Sequence, residues 1–178
     1  MRILRPHTLP LRLVAGRSLA WRKSFSSSSR FSDKNRIYNS IRTPEELSTL
    51  LLLSASSNRP LITLWSASWC SMCAAVKPIL RELIEDEGVG EAEGGIGYSE
   101  VELDSVLISD LGVKYMINSM PTLLAFSRQE AQLGTKLTRP ENMKDKKFLR
   151  QWLETEVRGG SASASGASGS LFGGRFGR

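Results

Sequence analysis

The sequence predicts an α/β fold in which one mixed central β-sheet carries helices on both faces. Two uninterrupted apolar runs of strand length, PLITLWSA (60–67) and PTLLAF (121–126), read as strands covered on both sides. Segments of helical period lie between and after them. The resulting order, α-β-α-β-α-β-β-α, places one compact domain over residues 33–158.

The elements follow in order. RTPEELSTLLLLSAS opens with a helix start: Thr43 is the N-cap, Pro44 takes the first helical position and Glu46 completes a capping box. The strand at 60–67 comes next. From Cys73 the period changes, and Val76, Ile79, Leu80, Leu83 and Ile84 recur at i, i+3, i+4, i+7 and i+8 on one helix face. Pro78 falls inside that helix and predicts a kink, because it removes a backbone donor. EDEGVGEAEGGIG reads as an acidic, Gly-rich surface loop. YSEVEL (98–103) alternates like a strand, DSVLISDLGVKY follows as a short helix, and AQLGTKL is a partner strand for 121–126 across a turn. A last helix is predicted over 141–157, with Phe148, Leu149, Trp152, Leu153 and Val157 inward.

The flanks differ in composition. Residues 1–32 are Arg- and Ser-rich and contain no Asp or Glu, the signature of an organelle transit peptide. Arg12 and Arg17 interrupt every apolar stretch that could serve as a secretory signal. Arg30-Phe31-Ser32 resembles a context in which mitochondrial presequences are cut, so a mitochondrial location, in the matrix, is expected. Residues 159–178 are dominated by Gly, Ser and Ala and read as a flexible tail.

The net charge of +6 suggests a nucleic-acid ligand until it is located. Residues 1–31 hold seven of the 24 basic residues and none of the 18 acidic ones, which leaves 17 against 18 and a net −1 over 32–178. That body lacks the basic excess that phosphate binding requires. The longest apolar run, near Leu50–Leu53, is far short of a membrane span.

Chemistry concentrates in SASWCSMCAAVKP (66–78), which holds both cysteines. Free cysteines are often plain buried residues, but Cys70 stands where a strand ends and a helix begins. Unpaired N–H groups and the positive helix end there favour thiolate over thiol. Cys73 is one helical turn away, within reach of Cys70 for thiol–disulfide exchange. A structural zinc site needs four ligands, whereas the chain has two Cys and a single His, His7, in the presequence. No metal or cofactor is expected.

LWSASWCSMCAAVKPIL, followed some fifty residues later by YMINSMPTLLAF, resembles the thioredoxin family over roughly residues 40–158. The match rests on Trp69, Cys70 and Cys73, the helix Pro78, and Met120-Pro121-Thr122 before an apolar strand. The resemblance implies a thioredoxin fold and a protein-disulfide reductase, with Cys70 as the attacking thiolate and Cys73 as the resolving thiol. It further implies a cis Pro121 facing the cysteines and a Met120 backbone that pairs with substrate. Trp69 would shield the sulfurs and contact substrate, while Trp65 belongs to the core. Expected partners are disulfide-containing proteins and a thioredoxin-reductase-type recycling enzyme, with the chain acting as a monomer.

Three departures bear on redox tuning. Ser71-Met72 replaces the usual Gly-Pro between the cysteines, Ala74 replaces a common Lys, and Leu64 stands where the family places a buried acid. Glu102 on a neighbouring strand is the candidate substitute for that acid. A second function class fits the same departures: a thioredoxin-fold client-binding or assembly factor with weak or no reductase activity.

Overall fold

A computed structural model describes residues 34–162; the predicted presequence and most of the predicted tail lie outside the described residues. The sheet has five strands in the order β1-β3-β2-β4-β5. These are β1 (Arg36–Ile37), β2 (Leu61–Ser66), β3 (Gly97–Glu102), β4 (Thr122–Ser127) and β5 (Glu130–Ala131). β3 runs parallel to both β1 and β2, while β4 is antiparallel to β2 and β5. The sheet is therefore mixed, as the sequence predicts.

Alternation along β2 explains how two cores form. Every β2 residue is buried. Ile62 and Leu64 point into a cluster with Val76, Leu80, Tyr98, Leu123, Leu149 and Leu153. Leu61 and Trp65 point the other way, into a cluster with Ile41, Leu47, Leu51, Val101, Leu124 and Phe126. The first cluster is roofed by α2 (Ser71–Arg81), α4 (Pro140–Lys144) and α5 (Lys146–Ala162), the second by α1 (Pro44–Ser57) and α3 (Ser109–Lys114). No helix among the described residues is long and apolar enough to cross a membrane.

The predicted start of α1 forms as a full capping box. Thr43 Oγ1 accepts from the Glu46 N–H at 3.3 Å, and the Glu46 carboxylate accepts from the Thr43 N–H at 3.2 Å. α2 passes through the exposed Pro78 and ends at Arg81. A π-helical turn, Glu82–Asp86, then closes with the Glu87 N–H donating to the Glu82 carbonyl at 3.0 Å. That wider turn keeps both Leu83 and Ile84 buried, so the apolar face outlasts the regular helix.

Four element predictions need correction. β1 was not foreseen, because two residues of strand carry no readable alternation. The 131–137 partner strand shrinks to β5, followed by a 3₁₀ turn at Leu133–Thr135 and a single bridge from Leu137 to Leu123. The last helix is two: Asp145 breaks it in an extended conformation and caps α5, its Oδ1 accepting from the Lys147 and Phe148 N–H groups at 2.9 and 3.3 Å. α5 also runs to Ala162, four residues into the segment assigned to the tail.

Candidate active site

Cys70 is the N-cap of α2, with φ −82° and ψ 98°, and its Sγ accepts from the Cys73 N–H at 3.1 Å. The sulfur therefore occupies the place a Ser or Asp oxygen takes in an ordinary cap, against the positive end of the helix dipole. Once the cysteine is reduced, negative charge on a sulfur at that place is favoured, which is the condition a nucleophilic thiolate needs. Cys70 and Cys73 are joined as a disulfide, with their Cα atoms 5.3 Å apart.

The two sulfurs are not equivalent. Cys70 is half-buried, whereas Cys73 is fully buried beneath the first turn of α2. Only Cys70 is placed to meet a partner. Ser71 is exposed and Met72 half-buried at the first two helical positions, and Ala74 is exposed. Trp69 is 73% exposed beside them, free to cover the sulfurs or to meet an incoming chain. Trp65 is core, its ring 5.7 Å from Tyr115 and its Nε1 donating to Thr63 Oγ1 at 2.9 Å.

The loop between β2 and α2 is anchored by Asp104, which accepts from the Ser68 N–H at 3.0 Å. Hydrogen bonds from the Ser68 side chain and backbone hold the Asp104 carboxyl below the ordinary carboxylate range. Sequence reading missed Asp104, because an Asp just after a strand is unremarkable until the facing loop is known.

The Met120–Pro121 bond is cis, as the resemblance implied. Thr122 pairs with Trp65 in the β2–β4 register, so Met120 and Pro121 lie beyond that pair at the end of the sheet that leads to Cys70. Pro121 is buried and Met120 half-buried. Topology thus brings Trp69, Cys70, Met120 and Pro121 to one end of the molecule.

Leu64 is fully buried in the core under α2, level with Glu100 on β3 and Leu123 on β4. The candidate substitute acid, Glu102, is committed elsewhere. Arg42 donates to both its carboxylate oxygens, at 2.8 and 3.2 Å, and that hydrogen-bonded guanidinium lowers its proton affinity.

Residues 45–155 match the sequence profile of the thioredoxin family. The chain belongs to that family. A curated relative, thioredoxin C-2 of Corynebacterium nephridii, is 36% identical over 70 residues, 39% of this chain; the chain spans 57% of that relative's length. Solved thioredoxins share the fold at low identity. Thioredoxin O2 of Arabidopsis thaliana in its oxidised state is 18% identical with a TM-score of 0.52, covering 68% of this chain and 94% of its own. A poplar thioredoxin h mutant is 18% identical with a TM-score of 0.55, covering 70% and 84%. Reduced Schistosoma mansoni thioredoxin is 19% identical with a TM-score of 0.52, covering 68% and 98%. Within this thioredoxin frame, Ser71-Met72, Ala74 and Leu64 remain the places where the chain departs from the expected pattern.

Proposed function

We propose that this thioredoxin is a thiol–disulfide oxidoreductase that reduces protein disulfides. The observation that carries the reading is the asymmetric pair at the start of α2: a half-buried Cys70 at the N-cap and a fully buried Cys73 bonded to it. In the reduced state the Cys70 thiolate attacks a client disulfide. One client sulfur leaves as a thiol and the other stays joined to Cys70. Cys73 then attacks Cys70 Sγ, which expels the second client thiol and forms the Cys70–Cys73 disulfide. Two electrons pass from the cysteine pair to the client, and a thioredoxin-reductase-type enzyme returns them. Trp69, Met120 and Pro121 contact the client, and Ser71 and Met72 set the reduction potential.

The test is reduction of a protein disulfide, such as that of insulin, with dithiothreitol or a thioredoxin reductase as electron source. Turnover by the wild type that is abolished by Cys70→Ser is the expected result. Absence of turnover with either donor would sink the reductase reading. A Cys70→Ser/Cys73→Ser chain that keeps its cellular role would establish the client-binding alternative.

The protein acts in mitochondria, a reading supported by the acid-free, Arg- and Ser-rich residues 1–32. A fluorescent protein fused behind residues 1–32 is expected to enter mitochondria; cytosolic fluorescence refutes it.

A further inference from the structure

Among the described residues, five of the eight large apolar side chains that are exposed fall at Trp69 and between Val106 and Met116: Trp69, Val106, Leu107, Val113 and Met116. Trp69 belongs to the redox site. The other four have no part in it, and nothing in their own elements calls for an apolar residue.

Ser105 to Ile108 form a turn closed by the Ile108 N–H, which donates to the Ser105 carbonyl at 3.2 Å; Val106 and Leu107 are its two central residues. Such positions ordinarily take Asn, Asp, Ser, Gly or Pro. Here the side chains are 90% and 66% exposed. The turn is not loose. Asp104 accepts from the Ser68 N–H, the Ser105 hydroxyl donates to the Arg42 carbonyl at 2.8 Å, and Ile108 is fully buried. A fixed frame therefore holds two apolar side chains out in water, within three residues of the bond to the loop that carries Trp69 and Cys70.

The far end of α3 repeats the pattern. Val113 is 81% exposed, and Met116, just past the helix end, is 51% exposed. Met116 has φ +52°, a left-handed conformation that helix ends normally give to Gly or Asn. Gly112 of the same helix lies against Leu103: a Cβ there would be 3.4 Å from Leu103 Cδ2. The Leu103 N–H in turn donates to the Ser66 carbonyl at 2.8 Å, four residues before Cys70. Turn, helix and redox loop are thus one continuous surface, and no charged residue falls between Asp104 and Asp110.

We propose that Val106, Leu107, Val113 and Met116 form a docking surface for an apolar segment of the client polypeptide, next to the disulfide that Cys70 attacks. This rests on the reading of the protein as a protein-disulfide reductase and narrows it: preferred clients carry an exposed apolar stretch beside their disulfide, as incompletely folded chains do. The occupant follows from continuity. A client whose disulfide reaches Cys70 must lay its neighbouring residues on the surface around Trp69, and on the α3 side that surface is apolar. Contact there removes apolar area of both partners from water. Docking makes and breaks no covalent bond, so its effect falls on the half-saturating concentration and not on the chemistry at the sulfurs.

The test uses the full-length protein and two synthetic peptides with the same disulfide loop, one flanked by Leu and Val, the other by Ser and Asn. Pre-reduced protein is mixed with each peptide, and single turnovers are followed by chromatography of the quenched mixture. The apolar peptide is expected to half-saturate at a concentration about tenfold below the polar one, a fraction of what burying two aliphatic side chains supplies. The maximal rate is the same for both. Val106→Ser/Leu107→Ser should abolish the difference, while its rate with the small disulfide 5,5′-dithiobis(2-nitrobenzoate) stays within about twofold. Val113→Ser/Met116→Gly should weaken the preference in the same way, and thermal melts check that both variants are folded. Equal half-saturation by the two peptides in the wild type overturns the proposal, as does a preference that survives both double substitutions. Wild-type dimers seen by sedimentation and dispersed by Val106→Ser/Leu107→Ser would give the surface to a second copy. Tighter peptide binding by Leu171→Ser/Phe172→Ser would give it to the chain's own tail; either result overturns the proposal. Failure of the reductase reading looks different, because neither peptide is then reduced. Fluorescence anisotropy with the apolar peptide, its cysteines replaced by Ser, decides in that case. Binding that Val106→Ser/Leu107→Ser removes upholds the surface, and no binding by the wild type overturns it.

Discussion

Tyr98 is the side chain whose replacement is expected to strengthen this protein. The ring is fully buried in the cluster under α2, and its hydroxyl has no hydrogen-bond partner. A buried hydroxyl left unpaired costs about 1–3 kcal/mol. Tyr98→Phe removes that cost and loses only the packing of one oxygen. A net gain of about 1 kcal/mol follows, which raises the melting temperature by about 3–5 °C for a domain of this size. A second signature lies in the pH dependence. Burial first, and then the nearby Glu100 charge, push the Tyr98 ionisation far above its usual value of 10.0, with Arg81 opposing weakly. Only the unfolded chain releases the phenol proton near pH 10. Wild-type stability is therefore untouched by this group below that pH and falls by about 1.4 kcal/mol per pH unit above it. The variant lacks that slope. Thermal unfolding of both chains at pH 7 and pH 11 measures both effects, and the advantage of Phe should widen at the higher pH. A variant that melts below the wild type at pH 7 refutes the reasoning, because it shows that the hydroxyl has a partner.

Three further outcomes test the framework around the site. The Ser68 amide proton is expected to titrate with Asp104 at a midpoint below the ~3.9 of a free Asp, since Ser68 favours the charged carboxylate. The anchor is present above that midpoint and lost as pH falls through it; an NMR titration centred at or above the free value excludes it. Gly90→Ala should cost about 1–3 kcal/mol, because Gly90 has φ +90° and a Cβ there would lie 2.9 Å from Ile96; urea denaturation gives the loss, and an unchanged midpoint refutes it. Thr43→Ala removes one half of the capping box and should cost about 1 kcal/mol in the same assay; a neutral result would show the box to be ornamental.

Legibility of the fold followed the length and burial of each element. β2 and β4 were readable because a strand buried on both faces must be apolar throughout, and their sequences, LITLWS and TLLAFS, are nearly so. α1 was readable from its cap, since Thr43, Pro44 and Glu46 each satisfy a separate demand of a helix start. β1 and β5 were not, because their pairing is fixed by where β3 and β4 lie, not by any pattern two residues can carry. Asp145 was overlooked for a related reason. In KDKK it reads as one more charge on a helix surface, and only its hydrogen bonds to the next turn reveal a cap.

The site divides along the same line. Cys70 and Cys73 were legible because their chemistry depends on spacing and on a strand-to-helix boundary, both local properties of sequence. Which acid stands beside Leu64 is a tertiary property, because strand register decides it. Glu100 and Glu102 are two residues apart on one strand, so sequence pattern gives both the same face. Their partners separate them: Arg42 draws Glu102 to the rim of the sheet, while Lys77 of α2 holds Glu100 beside Leu64. Leu64 and the Lys77–Glu100 pair then form one arrangement. With no charge on β2 to compensate, the apolar core under α2 closes around Leu64, and the Lys77–Glu100 ion pair sits at the core's edge, with the Lys77 side chain 33% exposed.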